Sequence, residues 1–232
     1  TSEFLDDEGT AKYQSLIGSL QWAITMGRFD IATAVMTLSS FRAAPRRGHL
    51  ERAKRVVSYI IRFKKACIRV KTDLPDFSAI NHVVYDWADT VYGNVREIRP
   101  KDTPKPLGKP VITTSYVDAN LLHDLLTGRS VTGCLHFVNK TPVDWYSKKQ
   151  STVETATYGS EFVAARTCVE QIIDLRNTLR YLGVPVHEKS YVFGDNESVV
   201  KSSTQVHAKL HKQHNMLSSY FDRETIAAGY IY

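Results

Sequence analysis

The chain has no apolar run of about 18 residues, the length a helix needs to cross a bilayer, so no membrane partner is expected. Its opening stretch, TSEFLDDEGT, has neither a basic segment nor an apolar core, so no secretory signal is expected. Cysteine is scarce. Cys67, Cys134 and Cys168 are the only three, they are odd in number, and none forms a CxxC pair. This argues against a disulfide framework or a thiolate zinc site and fits a reducing compartment. Three histidines, His207, His211 and His214, could share one helix face. No cysteine or carboxylate completes a tetrahedral set there, so solvated residues on a polar helix are the preferred reading.

Acidic residues are also missing from one region. Between Arg42 and Lys71 eleven lysines and arginines face a single acid, Glu51, a local net of +10 in a chain whose overall charge is +6. A merely solubilising surface accepts mixed signs, so this excess points to a polyanion partner, nucleic acid first. The remaining composition, 43% hydrophobic and 10% aromatic over 232 residues, is that of a folded globular protein with one large or two modest domains.

The first part of the chain reads as helical. Tyr13, Leu16, Ile17, Leu20 and Ile24 form one apolar stripe, with Thr10 as the expected N-cap. A second helix is expected behind Asp30 as cap, burying Ile31, Val35 and Leu38. Pro45 and Gly48 break it. A third should turn Leu50, Ala53, Val57 and Ile60 inward and Arg52, Arg55, Arg62 and Lys64 elsewhere, before ACIRVKT alternates as a strand. Four prolines between Pro100 and Pro110 mark a linker or extended crossing segment over residues 73–112.

After that the pattern becomes mixed α/β. VITTSYVD, SVTGCLHFV (Gly133 as an expected bulge) and TPVDWYS read as three strands of an antiparallel meander. A long helix follows from about Thr152 to Leu182, with Phe162, Ala165, Val169, Ile172 and Leu179 inward. Then come a strand, KSYVFGD, a short helix, NESVVKSS, and a helix from about Lys212 to Ala228. GYIY opens a fifth strand.

Two strands therefore end in aspartate, Asp118 and Asp195, although aspartate is a poor strand residue. Glu161 lies near the start of the long helix, one position from the buried Phe162. An acid at a strand end is commonly a turn residue or a helix cap. Three acids from separate elements converging at one end of a sheet would instead repel one another unless divalent cations neutralised them. Oxygen ligands suit Mg²⁺ or Mn²⁺, and paired ions of this kind cleave phosphodiesters in line.

The order strand–Asp, helix–Glu, strand–Asp after a meander is that of the ribonuclease H fold. The surrounding text, YVDAN, WYSKKQST, SEFVAA and YVFGDNESVV, resembles the ribonuclease H domain of copia-type (Pseudoviridae) retrotransposon Pol polyproteins. Upstream, YQSLIGSLQWAITMGRFDIATAVMTLSSF and HLERAKRVVSYI are similar to that family's connection between the reverse transcriptase palm and ribonuclease H. The resemblance covers residues 11–72 and 114–230. It implies a mainly helical connection-like region over residues 1–72 and a ribonuclease H-like α/β domain over residues 113–232.

The resemblance further implies two Mg²⁺ ions (or Mn²⁺) held by Asp118, Glu161 and Asp195, with Asp118 bridging both. They would support cleavage of the RNA strand of an RNA–DNA hybrid. Glu154 is the other acid near the helix start, but Glu161 has the matching context. Arg52, Arg55, Lys64 and Lys65 are the expected phosphate contacts, and Asn196 and Ser198 position substrate or cap the short helix. Trp145 and Tyr146 are read as core rather than as stacking residues. Expected partners are the hybrid, the palm and fingers of the same polyprotein, and a second copy of the chain. The expected setting is a cytoplasmic virus-like particle or the nucleus.

Departures from the family pattern are Phe29 in place of a proline, Asn120 in place of an aspartate, and QHNMLSS without its aspartate. The segment 73–110 is longer than usual, and the fourth acid is expected beyond Tyr232. There is no YxDD motif, so this stretch does not itself polymerise DNA. The alternative reading is an inactive or domesticated nucleic-acid-binding or assembly module of the same fold. An integrase core is a further rival, which the helical preface and SKKQST argue against.

Overall fold

The computed structural model describes residues 2–80, 83–124, 127–208, 210 and 215–232, without the side chains of His123 and Asp124. His211 and His214 lie outside the described residues. The chain forms two compact units, Thr1–Arg69 and Val70–Tyr232. Among the described residues no helix is long and apolar enough to cross a membrane.

The first unit packs helices α1 (Asp7–Thr25), α2 (Ala32–Ser39) and α3 (Arg47–Arg62) around Tyr13, Ile17, Leu20, Ile31, Val35, Leu38 and Ala53. The Tyr13 hydroxyl donates to the Leu38 carbonyl at 2.7 Å, so its one polar atom is satisfied inside this core. Two caps differ from expectation. Helix α1 starts earlier, because the Asp6 carboxylate accepts the Gly9 N–H at 2.8 Å and leaves Thr10 inside the helix. Asp30 lies within a 3-10 turn, Phe29–Ile31, and its carboxylate is taken by the Arg28 guanidinium at 2.8 and 2.9 Å.

The alternating stretch 66–72 is not a strand. A strand needs a backbone neighbour, and here Lys71 and Thr72 instead meet side chains. Lys71 N–H donates to Thr141 Oγ1 at 2.7 Å, and the Asn139 amide donates to the Thr72 carbonyl at 3.1 Å. Residues 73–110 contain no helix or strand among those described. The segment is nonetheless tied to the second unit, with Glu97 N–H on the Ala228 carbonyl at 3.0 Å and Leu107 N–H on the Gly183 carbonyl at 2.9 Å.

The second unit is a mixed sheet with helices, a ribonuclease H-like α/β fold. Strands β1 (Thr113–Asp124), β2 (Arg129–Val138), β3 (Thr141–Lys149) and β4 (Tyr191–Gly194) stand in the order β3-β2-β1-β4. The first three form the antiparallel meander, and β4 joins β1 in parallel. Helix α4 (Thr157–Tyr181) crosses between β3 and β4, followed by α5 (Glu197–Thr204) and α6 (Met216–Ala227). Val117, Ala119 and Cys134 of the sheet pack against Ala164, Cys168, Val169 and Ile172 of α4. On the other face Tyr116 stacks on Phe193, and Phe77 of the crossing segment covers Tyr191 and Phe193.

Three expectations for this unit are revised. Strand β1 runs on past Asp118, because Ala119 and Asn120 continue the ladder opposite Thr132 and Val131. Gly133 is not a bulge. It stands in regular register between Asp118 and Ser147, and the irregularities fall at Asn120/Asp124 and His136/Phe137. Helix α4 begins at Thr157, not near Thr152. The fifth strand is represented by one parallel bridge, Ser190 to Ile231.

Candidate active site

The parallel pairing of β1 and β4 ends at Val117 opposite Gly194. Asp118 follows Val117 on β1 and Asp195 directly follows the end of β4, so the ends of this pairing bring the two aspartates close together. Asp118 is thus placed by the end of its neighbour rather than by the end of its own strand. The third acid comes from above. Glu161 sits in the second turn of α4, next to Phe162, which is wholly buried. One carboxylate oxygen from each of Asp118, Glu161 and Asp195 lies within 4.8 Å of the others.

Among the described residues no lysine or arginine pairs with any of the three. Glu161 is buried, whereas Asp118 and Asp195 are exposed. Burial first, then the neighbouring charges of Asp118 and Asp195, push the Glu161 carboxyl up to about 7, and the Ala119 backbone N–H pulls the other way. Three hard oxygen donors at this separation, with no cation of the protein's own, fit divalent ions of the Mg²⁺ or Mn²⁺ class.

The surroundings hold this cluster in place. Gln150, at the end of SKKQ, is 5% exposed and donates to Thr132 Oγ1 at 3.0 Å and to the Ser160 carbonyl at 2.8 Å. It therefore ties β2 to the turn of α4 that carries Glu161, a role not assigned from sequence although the motif was recognised. Glu154 precedes α4 and is not in the cluster. Its carboxylate lies over Gly159, where a Cβ would be 2.3 Å from Oε2, so a larger residue there would push the Glu154 side chain aside. Asn196 is the N-cap of α5, accepting the N–H groups of Ser198 and Val199 at 3.1 and 3.2 Å. That fixes the chain directly after Asp195. Arg52 and Arg55 are exposed on α3, and Lys64 and Lys65 are exposed just after it. All four belong to the first unit and are not part of the acidic cluster. Tyr146 packs on the core of the second unit, as expected.

No protein-family model matches the chain. It is 27% identical over 192 residues to the retrovirus-related Pol polyprotein from transposon TNT 1-94 of Nicotiana tabacum, covering 82% of this chain and 12% of that protein. It is 27% identical over 175 residues to the putative transposon Ty5-1 protein of Saccharomyces cerevisiae, covering 74% and 44%. It is also 26% identical over 161 residues to secreted RxLR effector protein 161 of Plasmopara viticola, covering 69% and 89%. Among solved structures, a ribonuclease H from the archaeon Halobacterium salinarum aligns at 14% identity and a TM-score of 0.39, covering 51% of this chain and 78% of that one. Strand order and helix placement, rather than this superposition, define the fold. The chain spans 12% and 44% of the first two relatives. Its homologues include retrovirus-related Pol polyproteins of copia-type transposons.

Proposed function

We propose that this chain is the ribonuclease H part of a copia-type retrotransposon reverse transcriptase, cutting the RNA strand of an RNA–DNA hybrid with two divalent ions. The observation that carries the reading is the convergence of Asp118, Glu161 and Asp195 within 4.8 Å beside the end of β4. Asp118, Glu161 and Asp195 are the residues that would hold the ions. When bound, the ions supply a nucleophilic water at neutral pH and neutralise charge at the departing 3′ oxygen. The protein's own part is to hold three carboxylates still. Gln150 holds the turn that carries Glu161, the β1–β4 pairing fixes Asp118, and the Asn196 cap fixes the backbone after Asp195. Gly133, opposite Asp118, leaves the sheet surface open beside it.

On this reading Arg52, Arg55, Lys64 and Lys65 supply sequence-independent phosphate contacts. Hybrid is then distinguished by groove shape and 2′-hydroxyls rather than by base edges. The domain works with the palm and fingers of the same polyprotein, in a cytoplasmic particle or in the nucleus. The test is a substrate panel with Mg²⁺ or Mn²⁺: labelled RNA in a hybrid, the same RNA single-stranded, and a DNA duplex. Cutting confined to the hybrid and abolished by chelation is expected. A folded chain that binds hybrid without cutting it would leave only the binding-module reading.

A further inference from the structure

A second convergence of metal-ligating side chains lies inside the sheet–helix core, apart from the acids. Cys134 and His136 alternate on β2 and so share a face. Ser115 stands opposite His136 in the β1 ladder, and Cys168 descends from α4. All four are buried, at 5%, 1%, 0% and 0% exposure respectively. One sulfur from each cysteine and a ring nitrogen of His136 lie within 4.8 Å of one another. The neighbouring Cys134 and burial push the Cys168 thiol well above its ordinary range. Sequence spacing concealed this group, because the two cysteines are 34 positions apart and meet only through the packing of α4 on β2.

We propose that Cys134, His136 and Cys168, with Ser115 at the fourth position, form a closed structural site for a thiophilic dication, Zn²⁺ foremost. The histidine is already set for it. His136 Nε2 faces Gln171 Oε1 at 2.8 Å, and a carbonyl oxygen can only accept, so the ring proton sits on Nε2. Nδ1 therefore carries the lone pair, and it now accepts from Ser115 Oγ at 2.6 Å. A ligating histidine whose other nitrogen is held by an acceptor is the usual arrangement around zinc. Gln171 lies one helical turn from Cys168, so the same helix brings a ligand and the group that orients a ligand.

Charge balance favours the same ion. Two thiolates and a dication sum to zero, which makes the bound site compatible with a core that would reject a lone charge. Binding displaces both thiol protons to solvent. Zinc ligand distances of about 2.0–2.3 Å put neighbouring ligand atoms roughly 3.3–3.8 Å apart, so the group has to close by no more than about 1.5 Å. The site is independent of the acidic cluster, and its proof or failure does not depend on the nuclease reading.

The test is a Co²⁺ titration of the full chain, purified with reductant and without chelator, in the presence of excess Mg²⁺. One equivalent should produce the thiolate-to-cobalt charge-transfer band and tetrahedral ligand-field bands, and Zn²⁺ should bleach both. Cys134→Ser and Cys168→Ser should lose the charge-transfer band, while Cys67→Ser and Asp118→Asn keep it. Gln171→Leu, which leaves every ligand in place, should weaken Zn²⁺ binding roughly 10- to 100-fold. Folded wild-type protein with no cobalt–thiolate band would overturn the proposal. So would a band that survives in both cysteine variants or vanishes in Asp118→Asn. Recovery of Cys134 and Cys168 as a disulfide with no metal bound would overturn it too.

Discussion

Glu161→Gln should make the metal-free protein more stable while abolishing its hybrid cleavage. The Glu161 carboxyl is pushed up to about 7, by burial and by Asp118 and Asp195, whereas an unfolded glutamate titrates near 4.3. An acid with a raised folded value costs nothing below its unfolded pKa. The penalty then grows as pH rises toward 7 and stays constant above it. The gap of roughly 2.7 units corresponds to about 3.7 kcal/mol. Screening on the open side, where the aspartates are exposed, reduces this to about 2 kcal/mol. Glutamine keeps an oxygen for the Ala119 N–H and removes the charge. For a domain of this size the variant should melt about 4–8 °C above wild type at about pH 8 with chelator present. The two should converge near pH 4.5. Added Mg²⁺ should raise the wild-type melting temperature and leave the variant nearly unmoved. Equal melting temperatures at about pH 8, or a gap that persists unchanged to about pH 4.5, would refute the claim that these carboxylates are in electrostatic conflict.

Asp222 on α6 is 2% exposed with neither carboxylate oxygen hydrogen-bonded among the described residues, and burial holds its carboxyl well above the usual carboxylate range. It lines a cavity of about 80 Å³ that has room for a larger apolar side chain. Asp222→Leu should therefore stabilise the chain by about 1–3 kcal/mol above pH 5, measured by urea unfolding. Arg176 is fully buried and donates to Glu97 at 2.9 Å, to Ser190 Oγ at 3.0 Å and to the Glu188 carbonyl at 2.8 Å. Arg176→Met strands these partners and should cost about 3–5 kcal/mol in the same assay. Arg52→Gln and Arg55→Gln should weaken hybrid binding without regard to sequence. Each should lower the slope of log affinity against log salt by about 1, read by fluorescence anisotropy across salt concentrations.

Features set by local pattern were legible in the sequence. The Tyr13–Ile17–Leu20 stripe, the meander and the α4 stripe through Phe162, Val169 and Ile172 follow from periodicity alone. Asp195 was legible because glycine and asparagine flank it at a true strand end. Features that depend on a distant partner were not. Asp118 looked terminal because nothing in TTSYVDAN shows that Ala119 and Asn120 find Thr132 and Val131. Residues 66–72 alternate like a strand but meet side chains instead of a ladder. Gly133 suggested a bulge, since glycine in a strand usually marks one, while the real irregularities fall at residues with no such mark. Cys134 and Cys168, Gln150 with Ser160, and Arg176 with Glu97 are pairings that only the packed helix creates. The convergence of the three acids was readable in the sequence, while the residues that hold them in place were not.

The central claim is that Asp118, Glu161 and Asp195 form one metal-dependent nuclease centre. The most direct measurement is the single-turnover rate of RNA cleavage in an end-labelled hybrid with Mg²⁺, for the wild-type chain and Asp118→Asn purified in parallel. Cutting by the wild type and its loss in the variant, with hybrid affinity retained, is the predicted result. Equal cutting by both would show that the acids are not the nuclease. No cutting by a folded, hybrid-binding wild type would contradict the claim for this chain.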